Sequence, residues 1–154
     1  MHLTHYTDYA LRTLIFLAAS GKPSTISEVA GRFNISRNHL VKVVHNLGKI
    51  GFIKTERGKT GGIRLAMQPN DIRVSDVVRR MEPNFHLVEC FCPQRDSCPI
   101  TPVCDLKQVL EKAFDNFMTE LEKHTIADML GNKDEILAML QKKPAAPPLE
   151  DSRI

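Results

Sequence analysis

Ser27-Glu28-Val29-Ala30-Gly31-Arg32-Phe33-Asn34-Ile35-Ser36-Arg37-Asn38-His39-Leu40-Val41-Lys42-Val43-Val44 is the stretch on which the fold turns. Ser27 is the expected N-cap of a short helix over residues 27–33, because a serine hydroxyl satisfies one of the unpaired amides of a first turn. Asn34 makes the turn that follows. Ser36 is then the expected cap of a further helix running to about Ile50, in which Leu40, Val43, Val44, Leu47 and Ile50 recur at three- and four-residue spacing. The opposite face offers Arg37, Asn38, His39, Lys42 and Lys49. A short helix, a tight turn and a second helix with a polar, basic start is the layout of a helix-turn-helix, whose recognition helix enters the major groove by its N-terminal end.

Working outward strengthens this reading. Residues 52–56 and 63–66 look like two strands joined by Arg57-Gly58-Lys59-Thr60-Gly61-Gly62, a glycine-rich basic hairpin. That hairpin lacks the spacing of a phosphate-binding P-loop and lies between strands rather than before a helix. A helix-turn-helix followed by such a hairpin is a winged helix. Upstream, Thr7 is the expected cap of a largely buried helix over residues 8–19, stopped by Gly21 and Pro23. Charge agrees with a polyanionic partner: residues 1–65 carry ten Lys/Arg against three Asp/Glu, net +7, whereas residues 66–154 carry eleven against fifteen, net −4. Winged helices also serve as protein-interaction modules, but the basic residues here fall on both elements that would touch DNA. The expected contacts to double-stranded operator DNA are Ser36, Arg37, Asn38, His39, Lys42, Arg57, Lys59, Thr60 and Arg64. His39 by itself reads as a solvated surface histidine and carries no separate weight.

Beyond the wing, Pro69-Asn70 marks a turn, and Ser75 is the expected cap of a short helix over residues 76–81, ended before Pro83. After Cys104 the positions Leu106, Val109, Leu110, Ala113, Phe114, Phe117, Met118 and Leu121 form an apolar stripe on a helix of about twenty residues. The stripe exceeds what a small winged domain must cover, which predicts a homodimer packed through this helix. Residues 125–130 are expected to extend the helical region. The tail from about Lys142, with Pro144, Pro147 and Pro148, is expected to be disordered. The fold class is therefore mainly α with a small β-wing, a winged helix-turn-helix plus a long dimerisation helix. Its division is 1–70 for DNA binding, 71–104 for a short helix and cysteine loop, 105–130 for the dimerisation region and 131–154 for a C-terminal extension.

All four cysteines fall in Cys90-Phe91-Cys92-Pro93-Gln94-Arg95-Asp96-Ser97-Cys98-Pro99-Ile100-Thr101-Pro102-Val103-Cys104. The start of the chain has no basic region followed by an apolar run, and no apolar stretch reaches membrane-spanning length, which predicts a cytoplasmic protein with no membrane contact. In a reducing compartment a dense cysteine loop reads as metal-binding or redox-active rather than as a disulfide scaffold. Cys92, Cys98 and Cys104 are evenly spaced, with Cys90 an extra candidate, and prolines stiffen the loop. Structural zinc sites show paired knuckles with two to four intervening residues, which this loop lacks. Widely spread thiolates better suit an iron-sulfur cluster, with zinc, a thiol-disulfide switch and inert free cysteines as the alternatives. An electron carrier needs no winged helix, and no nucleophile-base constellation appears, so an enzyme is not expected.

Several of these motifs together carry a resemblance to a known family. Thr7-Asp8-Tyr9-Ala10-Leu11-Arg12, the helix from Ser36 to Val44, the wing from Arg57 to Leu65, and Leu87-Val88-Glu89-Cys90 with Cys98-Pro99-Ile100-Thr101-Pro102-Val103-Cys104 resemble the Rrf2 family of winged-helix iron-sulfur repressors, over about residues 1–130. Within it the chain looks like the nitric-oxide-sensitive repressors. The resemblance implies a homodimer whose cluster, 4Fe-4S by preference and 2Fe-2S as the alternative, reacts with nitric oxide and so releases operator DNA. It places the first ligand at Cys90, although even spacing favours Cys92, and follows it with Cys98 and Cys104. It also implies Asp8 as a carboxylate ligand from the other subunit; without the resemblance, Asp8 is an acid favoured in a first turn by the helix dipole. The related regulators of cluster assembly have a histidine three residues after the last cysteine, where this chain has Lys107. An iron-sulfur or redox-responsive regulator of another signal, a zinc-stabilised interaction module and a cluster-bearing electron carrier are the competing readings.

Overall fold

The structure, a computed structural model, describes residues 2–58 and 61–142. Six α-helices and one two-stranded sheet are present among them: α1 (His5–Ser20), α2 (Ile26–Phe33), α3 (Arg37–Lys49), β1 (Ile53–Glu56), β2 (Gly62–Leu65), α4 (Val74–Met81), α5 (Asp105–Glu122) and α6 (Lys133–Gln141). The fold is the winged helix that the sequence predicts, mainly α with a small β-wing. β1 and β2 pair antiparallel with Ile53 opposite Leu65 and Glu56 opposite Gly62.

Three helix starts differ from expectation. Thr4, not Thr7, caps α1, its hydroxyl accepting from the Thr7 amide at 3.3 Å. Thr25, not Ser27, caps α2 by accepting from the Glu28 amide at 3.1 Å. Arg73 precedes α4, so Ser75 lies inside the helix and is buried. In each case the chain turns helical earlier than the first attractive cap suggests. Thr4 and Thr25 use the same hydroxyl chemistry, and the burial of Thr7 and Ser75 shows why these two belong inside. Asn34 adopts the left-handed conformation at φ 55 and returns its amide to the Ala30 carbonyl, closing α2.

The core gathers Leu14 and Leu17 of α1, Val29 of α2, Leu40, Val43 and Leu47 of α3, and Ile53 and Ile63 of the wing strands. It continues past residue 70 through Ile72, Val77, Met81 and Ile126. β2 reaches into this core through a third extended segment. Ser24 and Ile63 exchange both backbone bonds, at 3.0 and 2.8 Å. Gly62 permits that approach, because a Cβ there would stand 2.6 Å from the Ser24 carbonyl oxygen.

Residues 125–130 do not prolong a long helix. The Ile126 amide donates to the Ile72 carbonyl at 2.8 Å, and only Asp128–Leu130 form a single 3₁₀ turn. Thr125 donates to Asp128 from its amide and its hydroxyl, holding that carboxyl below the usual aspartate range. The turn lets α6 fold back against α1 and α2, with Leu140 packed on the core and the Arg32 guanidinium reaching the Gln141 carbonyl at 3.5 Å. The expected disordered tail lies outside the described residues from 143 onward.

Candidate nucleic-acid interface and cysteine loop

α3 begins at Arg37 and presents its first turn to solvent: Ser36, Arg37 and Asn38 are exposed, His39 is half-buried and Lys42 is exposed. Ser36 occupies the N-cap position as expected, but its side chain makes no capping bond. The first turn of α3 is thus open to solvent. Leu40, Val43, Val44 and Leu47 are buried on the opposite side. Helical periodicity therefore separates the apolar stripe from the polar face as the sequence indicates. Arg37 does not stand alone: its Nε donates to the Ser27 hydroxyl of α2 at 3.1 Å.

On the wing, Arg57 is exposed next to Gly58, whose φ of 114 suits the hairpin's tip. Arg64 forms an ion pair with Glu56 across the two strands, both partly exposed. Its charge is thus shared inside the wing. Lys59 and Thr60 lie outside the described residues.

Three elements meet behind this face. The Tyr6 hydroxyl of α1 donates to the Lys42 carbonyl of α3 at 3.0 Å. Burial pushes the Tyr6 phenol above its ordinary value, partly offset by a hydrogen bond with Asn46, so the hydroxyl remains a donor at neutral pH. Glu82, which ends α4, accepts from the Thr4 amide and the Thr4 hydroxyl, both at 2.9 Å, and from the buried Thr7 hydroxyl. The Asn46 amide meets the Met81 sulfur at 3.5 Å. The first turn of α1 is therefore bonded both to α3 and to the end of α4. Asp8 sits in this turn and is held by Arg12, with Nε to Oδ1 at 2.9 Å and Nη2 to Oδ2 at 2.7 Å.

Residues 83–89 lead from Glu82 to the first cysteine of the loop. No disulfide links the four cysteines. Short 3₁₀ turns, Glu89–Phe91 and Thr101–Val103, form its two ends, and side chains stitch it together. The Ser97 hydroxyl donates to Glu89 at 2.9 Å, drawing the segment before Cys98 to the one that carries Cys90. Asp96 accepts from the Cys98 amide at 3.1 Å and the Thr101 hydroxyl at 2.9 Å, joining Cys98 to the turn before Cys104. Cys90 and Cys104 are half-exposed and Cys98 is exposed. Cys92 differs: it is buried and its thiol donates to the Gln94 side-chain oxygen at 3.3 Å. Among the described residues no three His, Cys, Asp or Glu side chains converge on one metal-ion position. The donor chemistry nevertheless fits an iron-sulfur cluster, with three accessible thiols on one bonded loop and no competing bridge.

Sequence reasoning missed Ser27, Tyr6 and Glu82 as members of this arrangement. Each acts through a contact between residues far apart in the chain, for which periodicity gives no signal. Among the described residues no helix is long and apolar enough to cross a membrane.

Comparison with known proteins agrees with this architecture. A family model described as Rrf2, iron-dependent transcriptional regulator, matches residues 3–132. The chain is 48% identical over 145 residues to the HTH-type transcriptional regulator NsrR of Bacillus subtilis (strain 168), covering 93% of this chain and 99% of that one. It is 47% identical over 146 residues to NsrR of Halalkalibacterium halodurans, covering 94% and 100%. Among solved structures, T. potens IscR superposes with a TM-score of 0.70 at 25% identity over 94% of each chain. CymR of B. subtilis superposes with a TM-score of 0.69 at 22% identity, covering 86% of this chain and 98% of that one, and so shares the fold.

Proposed function

Because the chain belongs to the Rrf2 family of transcriptional regulators, and is a DNA-binding regulator rather than an enzyme, we propose that it is a homodimeric repressor that senses nitric oxide through an iron-sulfur cluster. One observation carries the reading: an unbridged, side-chain-stitched cysteine loop continues from the residue, Glu82, that holds the first turn of α1. A change in the loop therefore has a route to α3 through residues 83–89, Glu82, the first turn of α1 and the Tyr6 hydroxyl.

Cys90, Cys98 and Cys104 are the proposed thiolate ligands. Cys92 is the weaker candidate, since it would have to leave a buried site and give up its bond to Gln94. Asp8 of the partner subunit is the proposed fourth ligand. When bound, a cluster, 4Fe-4S by preference and 2Fe-2S as the alternative, would supply iron that nitric oxide attacks. The chain's own residues do the rest. Asp8 lies two residues after Tyr6 and one after Thr7, so its release or capture shifts the turn that Glu82 clasps and that Tyr6 bonds to α3. Ser36, Arg37, Asn38, His39 and Lys42 are the proposed major-groove contacts, and Arg57, Lys59, Thr60 and Arg64 the proposed contacts to the DNA backbone. The apolar stripe of α5 is the homodimer contact: Leu106 and Val109 are 64% and 62% exposed, at the end adjoining the cysteine loop. A reducing, cytoplasmic setting suits the free thiols.

The experiment is binding of the anaerobically purified protein to a promoter fragment before and after measured additions of nitric oxide. The expected result is a coloured protein whose DNA complex is lost in proportion to the nitric oxide added. A coloured protein whose complex ignores nitric oxide but responds to another oxidant, or a colourless zinc protein, overturns the sensing assignment and leaves the family intact.

A further inference from the structure

We infer that Ser27 is a positioning residue for base recognition, because its hydroxyl fixes the guanidinium of Arg37 at the start of α3. The inference rests on the reading of α3 as the base-reading helix. Ser27 has the exposed position a cap would take, yet Thr25 already caps α2 through the Glu28 amide, so the Ser27 hydroxyl is available for another bond. It accepts the Arg37 Nε at 3.1 Å across the helix-turn-helix, ten residues along the chain.

The chosen atom matters. A guanidinium carries five N–H donors in one plane, and engaging Nε defines that plane. The two Nη groups then remain for a bidentate contact with guanine O6 and N7, the commonest specific pairing in the major groove. An exposed arginine otherwise samples many rotamers, and ordering it on DNA opposes binding. Ser27 restricts that search before DNA arrives. The first turn of α3 contains no acidic residue that could do the same. Ser27 carries no charge, so its contribution belongs to base preference, whereas a phosphate contact would contribute to all sequences alike.

The test uses the full-length dimer and a pool of random-sequence duplexes, because selection from such a pool measures base preference without a prior operator. Wild type, Ser27→Ala, Ser27→Thr and Arg37→Ala are compared at each position of the selected site and across salt concentrations. Arg37→Ala is expected to lose preference at one base pair in each half-site. Ser27→Ala is expected to reduce preference at that same base pair by about three- to tenfold, the range for one hydrogen bond, with an unchanged salt slope. Ser27→Thr keeps the hydroxyl and is expected to restore it. If Arg37→Ala erases the preference while Ser27→Ala keeps it in full, the positioning role is wrong. Equal weakening of every sequence by Ser27→Ala also overturns it. If Arg37→Ala retains full preference, the assignment of Arg37 as base reader fails first, and the inference falls with it.

Discussion

The winged-helix core and the cysteine loop with its adjoining α5 differ in how completely one chain satisfies them. In the core, Ala10, Leu14, Leu40, Val43 and Leu47 are fully buried, and three helices and the wing strands close on them. At the loop, Ile100 and Val103 are 57% and 79% exposed, and Leu106 and Val109 continue that surface onto α5. Three cysteines there are also at least partly open. The first region is finished by its own sequence. The second leaves large apolar side chains and thiols open to solvent, which a single copy of the chain does not cover. The proposed completions are a second copy for the apolar stripe and a cluster for the thiols.

The strongest way to break this comparison is at the loop. Cys98→Ala and Cys104→Ala are each expected to abolish the cluster, seen as loss of iron and sulfide per protomer, while circular dichroism and thermal unfolding of the winged helix stay near wild type. Cys90→Ala should behave like them and Cys92→Ala should not. A Cys92→Ala protein without iron beside an iron-loaded Cys90→Ala protein would reverse the ligand assignment.

The matching test in the core is Leu47→Ala. Leu47 is fully buried between α3 and its neighbours, so its truncation removes transfer free energy and leaves a cavity, at a cost of about 2–5 kcal/mol. Denaturant unfolding should show that loss with or without a cluster. Leu106→Ala is the smaller counterpart at the other region. Leu106 is already mostly exposed within one chain, so truncation should leave unimolecular stability nearly unchanged. In the proposed dimer it should cost about 1–2 kcal/mol, roughly a tenfold rise in the dissociation constant measured by sedimentation. A Leu106→Ala dimer as tight as wild type would remove this end of α5 from the interface.

The same contrast explains what could be read from the chain beforehand. Periodicity gave the stripe of α3, because Leu40, Val43, Val44 and Leu47 are buried by their own helix face. The two-strand wing followed from its glycine-rich turn. Helix starts are ambiguous in the sequence because Thr7, Ser27 and Ser75 each carry a capping hydroxyl, and local chemistry cannot tell such a residue from one inside the first turns. Only tertiary contacts decide: Thr7 is claimed by Glu82 and Ser27 by Arg37. α6 has no clear signal in the sequence because a nine-residue helix shows few periods, and its fit against α1 and α2 depends on the reversal at residues 125–130. At the candidate site the residue types were legible, whereas the difference between Cys90 and Cys92 was not. A single residue lies between them, and burial with a bond to Gln94 makes Cys92 chemically unlike Cys90.

Asp8 gives the smallest expected effect and the sharpest link between the two regions. Within one chain it is a first-turn acid paired with Arg12, both side chains partly exposed at 35% and 45%. A pair this open contributes at most about 1 kcal/mol, so Asp8→Ala should barely alter unfolding. As a ligand to the partner's cluster, Asp8 would need only one carboxylate oxygen, and the other could keep a bond to Arg12. Oxygen is a harder and weaker partner for cluster iron than thiolate, which makes that corner the easiest to displace. Because Asp8 shares its turn with Tyr6 and Thr7, losing it should loosen the tie to α3 rather than the cluster itself. Asp8→Ala, purified without oxygen, is therefore expected to keep iron on three cysteines, to show an altered absorption and circular dichroism spectrum, and to bind operator several-fold more weakly. An Asp8→Ala protein with unchanged spectrum, nitric oxide response and DNA affinity would return Asp8 to the winged-helix side of the comparison, as a surface acid that only Arg12 uses.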